Sequence, residues 1–199
     1  METPHRKLIK HRHHVGDFHE LTFSCFHRMP LLTNNDWREE LSRCIDNANV
    51  EANMELVGFV FMPEHVHLLV FPLDQVPDLG FYLARIKQPL SKHVKTKLLE
   101  ANAPLVKKLT VRERPGKESF RFWQEGPGYD RNLYEPNSIQ FSLDYIHNNP
   151  VKRKLCLRAI DWKWSSARYF HLDPPCQQFL ELPKVHPIKP EAFDPDSSR

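Results

Sequence analysis

Cysteine is scarce and scattered: four residues, Cys25, Cys44, Cys156 and Cys176, in a chain of 199. No two have the close spacing of a zinc knuckle or a redox motif. That argues against structural zinc and a disulfide framework, and it places the chain in the reducing cytoplasm. Long apolar runs are missing as well. None reaches the roughly 18 residues of a membrane span, so no membrane partner is expected. The opening METPHRKLIKHRHH is too basic and too poor in apolar residues for a secretion signal. No internal repeat is visible.

What is present suits one globular domain with a real core plus tails, or at most two small domains: 40% hydrophobic, 27% charged and 11% aromatic residues. The net charge is only +3, but it is unevenly spread. From Arg85 to Arg121 eleven Lys/Arg stand against three Glu; from Leu172 to Arg199 five acids stand against three bases, with six of the seventeen prolines. A basic middle beside an acidic, proline-rich tail suits a polyanion-binding body with an appended arm, and equally a lysine-rich solvated helix face. The boundaries expected are a basic flexible arm over 1–14, a body over 15–171 and a tail over 172–199.

Phe18 to His27 is rich in β-formers and reads as a strand. Thr33-Asn34-Asn35-Asp36 offers N-caps for a helix to about Val50, with Trp37, Leu41, Cys44 and Ile45 on one face. Met54 to Met62 and His65 to Phe71 form an apolar hairpin about Pro63-Glu64. A helix from Phe81 to about Glu100 must bend or restart near Pro89. Residues 101–119 read as a basic loop and Phe120 to Gln124 as a short strand. Ser138 to Asn148 is a helix ended by Pro150, and Trp162 to Phe170 a short aromatic segment. The order β-α-β-β-α-β-α predicts an α+β sandwich, an antiparallel sheet with helices packed on one face.

In FMPEHVHLLVFP, residues 61–72, two imidazoles stand in an otherwise apolar run. On a strand, His65, His67, Leu69 and Phe71 share one face, so the pair converges; on a helix it would diverge. Neutral imidazole is a common metal ligand, and an ion needs at least one further donor. By itself the pair is more often a hydrogen-bonded structural feature than a metal site. In SLDYIHNNPVKRKL, Tyr145 and Asn149 lie four apart on the last helical turn. A phenol attacks phosphate well when a metal polarises the phosphate oxygens. Asn149 offers a carboxamide oxygen as third ligand, and Lys152, Arg153 and Lys154 follow in place to hold a phosphate backbone. Taken in isolation, Tyr145 reads first as an ordinary amphipathic core tyrosine.

Together these stretches resemble a known family. MPEHVHLL looks like the His-hydrophobic-His signature of the HUH single-tyrosine transposases, and DYIHNNPVKRKL like their tyrosine helix. FWQEGPGYDRNL (122–133) and DWKWSSARYF (161–170) are similar to segments of the REP-associated tyrosine transposase branch. The blocks span about Phe18 to Phe170 and reach neither the first dozen residues nor the tail. The resemblance implies a ferredoxin-like sheet of the HUH endonuclease type. It also implies that His65, His67 and Asn149 hold a divalent metal, Mg²⁺ or Mn²⁺, with no small-molecule cofactor. Tyr145 would attack DNA to leave a 5′-phosphotyrosine and a free 3′-hydroxyl, the reaction of a site-specific single-stranded DNA endonuclease and strand-transferase. Imidazole ligands favour the softer ion, so Mn²⁺ should bind more tightly than Mg²⁺.

The partner implied is single-stranded DNA beside a hairpin of the repetitive extragenic palindrome kind, handled by a monomer or a homodimer that exchanges tyrosine helices. Exposed bases stack on aromatics at about 1–3 kcal/mol each; Phe120, Phe122, Trp123 and Tyr129 are candidates, interleaved with Arg121 and Arg131, although Phe122 and Trp123 serve equally as core. Two departures from the branch pattern stand out. Lys154-Leu155-Cys156 lacks the usual glycine, and Pro127 replaces a bulkier residue. Glu64 stands where an Asn is common and reads more readily as a solvent-facing turn residue than as one that tunes the metal. Two rival readings remain at this stage: a domesticated hairpin-binding protein without turnover, and a metal hydrolase of small phosphoesters with Tyr145 structural.

Overall fold

The alternating apolar residues of FHELTFS fix β1 (Phe18–Ser24) as a strand with one face for a core and one for something else. The computed structural model describes residues 15–126, 128–172 and 181–188; the expected arm over 1–14 and most of the tail lie outside them. After β1 come α1 (Asn35–Glu51), β2 (Met54–Phe61), β3 (His65–Pro72) and α2 (Leu79–Glu100). A short α3 (Leu105–Lys108), β4 (Thr110–Arg114) and β5 (Lys117–Phe120) follow, then β6 (Tyr129–Leu133), α4 (Pro136–Lys152) and α5 (Ala167–His171).

The main sheet runs β2-β3-β1-β6, every neighbour antiparallel. β1 and β2 both pair with β3, so they run parallel to each other with one strand between them and α1 as the crossover. This is the split βαβ unit of a ferredoxin-like sheet. The starts of the three long helices, α1, α2 and α4, have local causes. Asn34 Oδ1 accepts from the Trp37 amide (3.2 Å), Asp78 Oδ1 accepts from the Phe81 amide (2.8 Å), and Pro136 opens α4 where no amide is needed.

The two faces of the sheet carry different layers. Val66, Leu68 and Val70 of β3 join Leu41 and Ile45 of α1 and Tyr82, Ile86 and Leu90 of α2 in the larger core. Burying each such side chain contributes about 1.5–3 kcal/mol. Leu69, from the opposite face of β3, packs with Val57, Val60 and Met62 against Ile139, Leu143 and Ile146 of α4. The expected helical layer is α1 with α2; α4 adds a second on the other side. At Gly58, beside a bulge in β2, an added Cβ would lie 2.5 Å from Leu143 Cδ1, so glycine lets α4 sit close on the sheet.

Several expectations change. Residues 101–119 are not a loop: α3 and the β4–β5 hairpin occupy them, and Phe120–Gln124 is no strand of the main sheet, though Trp123 bridges to Cys25. The fourth strand is β6. α2 runs unbroken through Pro89, and Pro150 lies inside α4 rather than ending it. Proline costs α4 little so near its end, because the amides of Arg153, Lys154 and Leu155 close the last turn on the carbonyls of Asn149, Val151 and Pro150. Part of the tail belongs to the body. Val185 is buried in the larger core, the Lys184 amide donates to Asp46 of α1, and the His186 amide donates to Leu56 of β2. Among the described residues no helix is long and apolar enough to cross a membrane.

Candidate active site

Strand register brings the site together. His67 pairs with Thr22, which pairs with Tyr129; one step along, Leu69 pairs with Glu20, which pairs with Arg131. Period-two alternation turns His65, His67, Thr22, Glu20, Tyr129 and Arg131 to the face that α4 covers. From α4, Ser142, Tyr145 and Asn149 come down on the same face.

The two imidazoles converge, with His65 Nε2 3.0 Å from His67 Nε2. Each ring is held from behind. His67 Nδ1 lies 2.8 Å from Thr22 Oγ1, and His65 Nδ1 lies 3.2 Å from Glu64 Oε1. In the tautomer in which both Nδ1–H groups donate to those oxygens, both Nε2 lone pairs point at one place, the arrangement that outer partners impose on metal-binding histidines. Both rings are 5% exposed. Burial lowers the pKa of His65, with Glu64 pulling it back and the charges of Arg28 and Arg153 lowering it further. Burial, then the charge of His65, pushes His67 down to about 3. Both imidazoles are therefore neutral near pH 7, as ligation requires.

Asn149 reaches the same point, its Nδ2 3.3 Å from His67 Nε2; a half-turn of the amide presents Oδ1 there instead. Among the described residues no three His, Cys, Asp or Glu side chains gather tightly enough to hold an ion alone. The donor set is thus two imidazoles and a carboxamide. With neutral imidazoles and a carboxamide oxygen, it is suited to a divalent ion that keeps further positions open for substrate. Tyr145 stands beside it, its ring 5.7 Å from that of His67 and nearly perpendicular, 44% exposed. Lys152 Nζ sits 4.6 Å over the Tyr145 ring. Phenol and imidazoles meet within a single chain.

Of the other expected residues, Tyr129 and Arg131 line a cavity of about 490 Å³ shared with Glu20, Thr22, His67, Phe141, Ser142 and Tyr145. Lys152 and Lys154 are exposed at the end of α4, Lys154 with a φ of 57°. Arg153 instead donates to Glu64 Oε1 at 2.8 Å, joining the end of α4 to the turn before β3. Burial raises the Glu64 pKa, but Arg153 and His65 more than offset it and leave the carboxyl below its usual range. Arg121 does not join the site, since Glu113 and Glu125 hold its guanidinium. Phe122 and Trp123 are buried core, edge-on to Trp37 and Phe23 respectively. Thr22, Glu20, Ser142 and Phe141 were not foreseen. β1 alternation puts Thr22 and Glu20 on one face, but only the register sets them against His67.

Comparison with known proteins bears on this arrangement. No protein-family model matches the chain. In sequence it is similar to a candidate REP-associated tyrosine transposase of Haemophilus influenzae, 26% identical over 127 residues, 64% of this chain and 65% of that protein. The chain thus aligns with slightly under two thirds of that relative's length. In structure it resembles a REP-associated tyrosine transposase solved with a REP hairpin bound, at a TM-score of 0.63 and 18% identity over 81% of this chain and 83% of the other. A candidate transposase from Deinococcus radiodurans aligns at a TM-score of 0.43 and 17% identity, over 71% of this chain and 97% of that one. The fold is that of the REP-associated tyrosine transposases, and the sequence resemblance points the same way.

Proposed function

We propose that this chain is a metal-dependent, single-stranded DNA endonuclease and strand-transferase that cuts beside DNA hairpins through a covalent 5′-phosphotyrosine. The observation that carries the reading is the meeting of Tyr145 with the converging Nε2 atoms of His65 and His67 in one cleft. The likeness to transposases, one of them solved with a REP hairpin bound, supports the choice of DNA.

His65, His67 and Asn149 are the residues that would hold the ion, whose contribution when bound is to polarise the oxygens of the scissile phosphate. Tyr145 Oη attacks the phosphorus; the P–Oη bond forms as the P–O3′ bond breaks. The phenolic proton is lost to solvent, and the departing 3′-oxygen takes one up. One phosphodiester replaces another, so neither water nor ATP is consumed, and a 3′-hydroxyl attacking the phosphotyrosine reverses the step. Lys152 places a positive charge against the ring of the nucleophile, and Lys154 offers a phosphate contact beyond it.

The test is incubation with labelled hairpin oligonucleotides carrying single-stranded flanks, with Mn²⁺, followed by a denaturing gel. A shifted band that survives denaturation and is absent with chelator is expected. Hairpin binding with no such band would make the chain a binder without turnover, and a band insensitive to chelator would remove the metal from the account.

A further inference from the structure

Behind Tyr145 lies the cavity of about 490 Å³, within the roughly 300–1,000 Å³ typical of ligand sites. Two aromatics at its border face solvent, Tyr129 at 56% and Phe141 at 71% exposed. At its base is Glu20, a carboxylate only 6% exposed, whose Oε2 accepts from Ser142 Oγ at 3.0 Å. Arg131 is the cross-strand neighbour of Glu20 on the same face and also lines the cavity, yet no ion pair joins the two among the described residues. The phosphoryl-transfer chemistry needs none of Glu20, Ser142 and Phe141. A buried carboxylate is costly unless something donates to it, and one hydroxyl leaves most of its acceptor capacity open.

The geometry points to a nucleobase pocket in which Glu20 reads the base next to the cleaved linkage, selecting one that carries an exocyclic amino group. Unstacked bases are held by aromatic faces and identified at their hydrogen-bonding edges. A carboxylate accepts from amino groups and repels the carbonyl-rich edge of thymine. Tyr129 and Phe141 supply stacking surface, Glu20 the acceptor and Arg131 donors from the neighbouring strand. Ser142 keeps the carboxylate in one orientation. This assignment rests on the DNA reading above and adds a specificity determinant to it.

The experiment is a base scan. Each position of the single strand flanking a hairpin stem is varied through four bases, and equilibrium binding to the full chain is measured by fluorescence anisotropy with chelator present. Adduct formation with Mn²⁺ is followed in parallel. At one position thymine should bind about tenfold or more weaker than an amino-bearing base. Glu20→Gln keeps an oxygen for Ser142 but offers an amide donor where the carboxylate accepted, so the ratio should fall to within about threefold. Phe141→Ala, at an exposed site that folding does not need, should weaken all four bases about equally, by roughly fivefold or more. Absence of a base preference in the wild type, or a preference that Glu20→Gln leaves intact, would overturn the pocket. Failure of every oligonucleotide to give an adduct would overturn the nuclease reading instead, while the binding scan would still decide the pocket.

Discussion

Arg153, the first residue past α4, donates to Glu64 Oε1 at 2.8 Å, and the same oxygen lies 3.2 Å from His65 Nδ1. The end of the helix that carries Tyr145 is thus tied through one carboxylate to the back of the His65 imidazole, one of the proposed metal ligands. Lengthening or cutting that tie should alter the metal site without touching its ligands.

Glu64→Gln should weaken Mn²⁺ binding about 10–100-fold, the usual cost of losing an outer partner of a metal-binding histidine. Calorimetric titration of the full chain measures it. Arg153→Ala should act in the same direction and more mildly. An Arg153→Ala variant with normal Mn²⁺ affinity but a DNA-binding salt slope reduced by about one would instead make Arg153 a phosphate contact.

Gly128 precedes β6 with a φ of 91°, and a Cβ there would stand 2.2 Å from the Thr22 carbonyl oxygen. That oxygen is backbone and cannot swing aside. Gly128→Ala should destabilise the fold by about 1–3 kcal/mol and, by shifting the strand that carries Thr22, loosen the support of His67. Urea unfolding reads the first effect and Mn²⁺ titration the second. Unchanged stability would show that the loop adapts and the close approach is unimportant.

His147 is buried on α4 with Nε2 2.8 Å from Ser166 Oγ, and burial, then the charge of His171, pushes its pKa from 6.5 to about 3. The folded chain holds this proton more weakly than the unfolded one. Stability should therefore decline as pH falls from about 6.5 towards 3, by at most about 1.4 kcal/mol per pH unit for this group, and this contribution is gone below both values. His67 contributes in the same sense when no ion is bound. Urea midpoints at pH 7, 6 and 5 should drop in series, with a shallower trend for His147→Gln. Identical trends for variant and wild type would contradict the assignment.

Val185, 5% exposed, seats the 181–188 segment in the core. Val185→Asp should cost about 1.5–3 kcal/mol, or several degrees in melting temperature. A melting temperature unchanged within about a degree would mean the segment does not rest there in solution.

The sequence showed the parts whose causes are local. Asn34 caps α1 because its side-chain oxygen accepts the amide three residues on, and the β2–β3 hairpin is legible because its residues are apolar and β-prone. His65 and His67 converge because a strand has period two. What escaped depends on distant partners. β6 reads YDRNL, too polar to announce a strand, and is one because β1 offers it an open edge. The β4–β5 hairpin is local, each strand pairing with the other, but TVRER and KESF are too charged to stand out from the basic run around them. Thr22 and Glu20 enter the site only through register. Arg121 reads as a DNA-binding candidate by the aromatics around it in the chain; Glu113, across the hairpin, and Glu125, four residues on, already hold it.

The central claim is that Tyr145 Oη is the atom that becomes bonded to DNA. Mass spectrometry of proteolysed adduct, formed with Mn²⁺ and a hairpin carrying single-stranded flanks, tests it directly. A nucleotide on the peptide containing Tyr145, with no adduct from Tyr145→Phe and hairpin affinity within a few-fold of wild type, is the predicted result. A nucleotide on any other residue, or an adduct persisting in Tyr145→Phe, would contradict the account.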